Sequence, residues 1–80
     1  MQSNNLYMVN TWSGELKPVK KITFFPEIDQ QGNVFYKIEG QLNLDYFMIS
    51  YSYDKDKAKA EYDRLLNEFI EFQEKNMILR

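Results

Sequence analysis

From Leu6 to Trp12 the chain reads LYMVNTW, rich in residues that suit a pleated surface, and ends at Ser13-Gly14, where glycine can take positive φ. This predicts a first strand and a tight turn. A second strand is expected within residues 16–25, where Lys20, Ile22 and Phe24 alternate with Lys21, Thr23 and Phe25. Pro18 and Pro26 cannot donate to a ladder, so they confine pairing mainly to Val19–Phe25 or put the strand at an edge or bulge.

The segment EIDQQGN, residues 27–33, has the composition of a turn, with Asp29 and Asn33 able to cap backbone groups and Gly32 free to turn left-handed. A third strand follows from Val34 to Glu39, with Val34, Tyr36 and Ile38 as its core face. Gly40 is expected to break it, and residues 41–45 form a loop or a bulged continuation. The fourth strand runs from Tyr46 to Tyr53. Strict alternation groups Phe47, Ile49, Tyr51 and Tyr53 against Tyr46, Met48, Ser50 and Ser52.

From Lys55 the period lengthens. Ala58, Tyr62, Leu65, Phe69 and Phe72 recur at helical spacing, with Leu66 and Ile70 widening the stripe. Lys57, Glu61, Arg64, Glu68, Glu71 and Lys75 line the other side as a solvated face, with Arg64/Glu68 and Glu71/Lys75 pairs available. Asp54 reads as the N-cap and Asp56 as a first-turn acid favoured by the helix dipole. A large buried apolar side chain contributes about 1.5–3 kcal/mol, whereas ordering the backbone costs about 1–2 kcal/mol per residue. The helix therefore needs the sheet.

The pattern predicts one small α+β domain over residues 1–80, ββββα in order: an antiparallel meander of about four strands with a C-terminal helix across one face. Composition removes several chemistries. The chain has no histidine and no cysteine, hence no Ser-His-Asp or Cys-His arrangement, no disulfide and neither preferred side-chain ligand for zinc. Its three glycines stand too far apart for a P-loop or dinucleotide fingerprint. Asp54 and Asp56 resemble the start of a calcium loop, but Ala58 and Ala60 follow where oxygen ligands are needed. A non-enzyme without metal or cofactor is expected.

Nothing at the start of the sequence reads as a secretory leader, and no run is apolar enough to span a bilayer, so a soluble, cytoplasmic protein is expected. A net charge of −2 gives no global attraction to nucleic acid or anionic membranes. What stands out is one tryptophan, six tyrosines and six phenylalanines, more aromatic surface than one helix can cover. If the helix takes Ile22/Phe24, Val34/Tyr36/Ile38 and Phe47/Ile49/Tyr51, then Trp12, Lys21, Phe25, Phe35, Lys37, Tyr46 and Met48 are left on the open face. Aromatic, Met and basic residues together are typical of interface cores. The expected function is therefore protein binding or self-association, in the size class of a bacterial or phage accessory, inhibitor or immunity-type protein. The alternative is a single-stranded nucleic-acid platform built from the sheet aromatics with Lys17, Lys20, Lys21 and Lys37.

Overall fold

The computed structural model describes the backbone of residues 6–78 and the side chains of residues 6–76. Strands β1 (Tyr7–Asn10) and β2 (Leu16–Val19) pair antiparallel as a hairpin, Tyr7 opposite Val19 and Asn10 opposite Leu16. Gly14 takes φ 92° in the connection, and Thr11 ties that turn together: its carbonyl accepts from Gly14 N–H at 2.9 Å and its hydroxyl from Glu15 N–H at 3.2 Å. The hairpin is a sheet of its own. A second sheet, a meander in the order β3-β4-β5, contains β3 (Lys21–Ile28), β4 (Val34–Leu42) and β5 (Asp45–Ser52). The fold is α+β, with five strands and two sheets where one four-stranded meander is predicted.

The expected second strand is divided at Lys20, whose N–H leaves the hairpin to bond Gln41 O on β4 at 2.8 Å. Both prolines nevertheless lie inside strands, Pro18 opposite Met8 and Pro26 opposite Tyr36. Each strand borders its sheet, where a missing N–H costs no ladder bond. The turn after β3 is built as expected: Asp29 Oδ1 accepts from Gln31 and Asn33 N–H at 2.9 Å each, and Gly32 takes φ 86°.

Gly40 does not break its strand. It is buried inside β4 opposite Ile22, and a Cβ there would lie 2.7 Å from Phe47 Cε1 and 2.8 Å from Val19 Cγ1. The absent side chain lets the hairpin and β5 close over β4. The turn falls three residues later, at Asn43-Leu44, where Asn43 adopts φ 56°.

Helix α1 (Lys55–Ile78) starts on the expected cap: Asp54 Oδ1 accepts from Asp56 N–H at 3.0 Å and Lys57 N–H at 3.2 Å. Its buried stripe of Ala58, Leu65 and Phe69 packs on the sheet, and Leu65 and Phe69 join Val9, Val19, Ile22, Ile38 and Ile49 in one cluster. Tyr62 stacks on Phe24 at 5.2 Å between ring centres, while Tyr7 covers Phe69 and Phe72 at 5.7 and 5.6 Å. Ile70 falls outside the stripe and is exposed, since the cover at that level is the single Tyr7 ring. Arg64 pairs with Glu61 and Glu68 on the solvated side, whereas among the described residues Glu71 and Lys75 form no pair.

Two substitutions separate the ways this core can fail. Leu65→Ala is expected to cost about 2–5 kcal/mol through a cavity, and Gly40→Ala about 1–3 kcal/mol through overpacking. Adding Phe47→Leu should recover part of the second loss and none of the first in urea-unfolding midpoints.

Candidate functional site

The open face follows from the register. Residues directly opposite share a side, so β3, β4 and β5 present four crosswise rows: Lys21, Gln41 and Tyr46; Thr23, Glu39 and Met48; Phe25, Lys37 and Tyr51; then Glu27, Phe35 and, beside it, Tyr53. Trp12 extends the third row, its ring 4.9 Å from that of Tyr51. All seven residues expected on this face, Trp12, Lys21, Phe25, Phe35, Lys37, Tyr46 and Met48, are found there. They do not form one patch. Lys21, Tyr46 and Met48 occupy a polar end, where Gln41 donates to the Tyr46 hydroxyl at 3.1 Å, and Trp12, Phe25 and Phe35 occupy an aromatic end.

Tyr51 and Tyr53 complete the aromatic end, although alternation assigns them to the helix side. The cause is a β-bulge. Ile38 faces Ser50 but Glu39 faces Met48, so Ile49 is an extra residue on β5. It turns into the core, and beyond it the side-chain phase reverses: Ser50 and Ser52 face the helix, and the tyrosines face out. Phe35 then contacts Tyr51 and Tyr53 at 5.6 Å each, and those two tyrosines meet at 6.2 Å. Sequence reasoning missed them because one inserted residue leaves no mark on composition; the nearest signal is the apolar doublet Met48-Ile49, which interrupts strict alternation.

The cation at the aromatic end is already paired with carboxylates. Lys37 Nζ lies 3.7 Å from Glu27 and 4.0 Å from Glu39, and 5.7 Å from the centre of the Phe25 ring. Tyr53 donates to Asp29 Oδ2 at 2.7 Å, which ties the ring to the β3-β4 turn. That bond, followed by the Asn33 N–H, holds the Asp29 carboxyl below its ordinary 3.8, and the same bond raises the Tyr53 hydroxyl above 10.0. The other lysines do not converge here. Lys17 lies over Phe47, a helix-side ring, and pairs with Glu15, while Lys21 sits at the polar end and Lys20 on the connection between the sheets.

Elsewhere, a groove of about 340 Å³ runs between β1, β5 and α1, lined by Tyr7, Ile49, Glu61, Arg64 and Glu68 among others. Arg64 engages both acids, and Tyr7 donates to Glu68 at 2.9 Å. Burial first, then that bond, pushes the Tyr7 phenol up to about 12. Among the described residues no cluster of three or more acids could hold a metal ion, and no helix is long and apolar enough to cross a membrane.

Two pH effects follow, with opposite signs. The raised Tyr7 pKa means its bond stabilises the fold fully below pH 10.0 and is lost as pH rises through about 12. The penalty for Tyr7→Phe should therefore shrink across that range, and one tyrosine should drop out of the late phase of an absorbance titration. The lowered Asp29 pKa means its stabilisation is present above 3.8 and lost as pH falls through the depressed value. Asp29→Asn should be penalised at neutral pH and much less in acid, read from urea midpoints.

No protein-family model, curated protein or solved structure matches this chain, so what the open face does must come from its own chemistry.

Proposed function

We propose that the chain is a non-enzymatic protein-binding module that engages its partner through the face of β3-β4-β5 turned away from the helix. One observation carries the reading: four rings, from Trp12, Tyr51, Phe35 and Tyr53, are in contact on that face, with Phe25 on the neighbouring strand, and Trp12 is 59 % and Tyr53 54 % exposed. Leaving such rings in water gives up apolar burial that the fold obtains elsewhere from its helix stripe, and aromatic residues are the usual anchors of protein interfaces. The remaining titratable groups offer little support for catalysis. Histidine and cysteine are absent, and the groove acids are held by Arg64. The lack of cysteine suits a reducing compartment such as the cytoplasm, and the size suits an accessory, inhibitor or immunity-type protein of a bacterium or phage.

Capture from lysate of the source organism on the immobilised protein tests this reading. Retention of a protein by the wild type, its loss with Phe35→Ala or Tyr51→Ala, and its persistence with Glu71→Gln on the exposed side of α1 are expected. Retention that survives the face variants, with their melting unchanged, would refute it.

A further inference from the structure

We propose that the aromatic end of the open face binds a proline-rich segment without acidic residues in the polyproline II conformation; this rests on the protein-binding reading above and names the chemistry of the partner. The size of the face is the first argument. Three strands about 4.8 Å apart and eight residues of about 3.3 Å give a flat area of roughly 400 Å². Two such faces would together bury roughly 800 Å², short of the ~1,200 Å² at which stable complexes begin. A short extended peptide fits where a second folded copy is underserved.

Charge and hydrogen-bonding capacity supply the second argument. Lys37 is shared between Glu27 and Glu39, and Asp29 adds a carboxylate beside Tyr53, so the aromatic end offers no free cation to a phosphate backbone and its net negative charge disfavours an acidic peptide. Its unused groups are donors: among the described residues neither the Trp12 indole N–H nor the Tyr51 hydroxyl has a hydrogen-bond partner. A polyproline II segment presents the complement, because it forms no internal hydrogen bonds and directs its carbonyls outward. Proline rings also pack into the clefts between aromatic side chains.

The spacing is the third. Tyr51 stands between Trp12 at 4.9 Å and Phe35 at 5.6 Å. These two contacts, from the third row to the fourth, are together on the scale of one polyproline II turn of three residues, ~9 Å, so prolines three apart would seat on either side of Tyr51. Tyr53, tied to Asp29, walls the next row. The Tyr53 ring is thereby anchored before a peptide arrives.

Trp12 is the chain's single tryptophan, so its fluorescence reports on this row alone. Titration with decaproline should give a saturable change in Trp12 emission that a glycine-serine peptide of equal length does not. Tyr51→Ala should weaken binding about tenfold or more, with Lys75→Ala leaving it unchanged. Four results would overturn the proposal: silence to decaproline up to about 1 mM, an equal response to the glycine-serine peptide, a response to oligothymidylate in its place, or a Trp12 signal that tracks protein concentration as a self-associating copy would. If decaproline is silent while a protein is still captured by the wild type and lost with Tyr51→Ala, the proline inference falls and the binding face stands. Silence in both experiments removes both.

Discussion

Ile49 has no counterpart on β4. Its neighbours Met48 and Ser50 face Glu39 and Ile38, which are adjacent, so β5 carries one residue more than the ladder can pair. That surplus residue does two things. It places a β-branched side chain in the cluster with Ile38, Leu65 and Phe69, and it inverts the phase of everything downstream. Without the bulge, Tyr51 and Tyr53 would point at the helix, where Ser50 and Ser52 now leave room for α1 to approach. The core and the aromatic patch are thus alternatives for the same rings, and the bulge decides between them.

The rest of the architecture serves that arrangement. Few apolar side chains are fully buried, and they come from β1, β2, β3, β4, β5 and α1 together, so no element has a core of its own. The hairpin reaches the second sheet through two backbone bonds, Trp12 N–H to Met48 O on the edge strand β5 and Lys20 N–H to Gln41 O on the central strand β4. The first matters most for the site. It fixes the backbone of Trp12 beside β5, so that the indole lies on Tyr51 and the third row of the sheet gains a fourth member. Gly40 is the corresponding requirement beneath, since only a missing Cβ lets Val19 and Phe47 meet over β4.

Periodicity made the helix and its cap legible because both are local: Asp54 bonds residues two and three positions ahead, and the stripe from Ala58 to Phe69 repeats within a single element. The Asp29 turn was readable for the same reason. Where sequence reasoning failed, the deciding contact was long-range. Gly40 looks like a strand breaker until Val19 and Phe47 are brought against it, whereas Pro18 and Pro26 allow an edge placement from the sequence, and their strands do border sheets. The membership of the open face was legible on β3 and β4, where alternation is regular, and on β5 only as far as the bulge.

Lysine content shows how far the folded chemistry can depart from the linear pattern. Lys17, Lys20 and Lys21 form the one basic run in the sequence, yet the bend at Lys20 sends them to different places: Lys17 over Phe47, Lys21 to the polar end, Lys20 to the junction of the sheets. The lysine that does reach the aromatic rings, Lys37, arrives between two glutamates. Partly exposed pairs of this kind add little to stability, but they alter what the face can attract. A cation already shared between Glu27 and Glu39 holds its field close, and a polyanion would have to displace those carboxylates before gaining a contact. The same clamp holds Lys37 Nζ over the Phe25 ring, its neighbour across the sheet. Charge here acts as scaffolding for an aromatic surface.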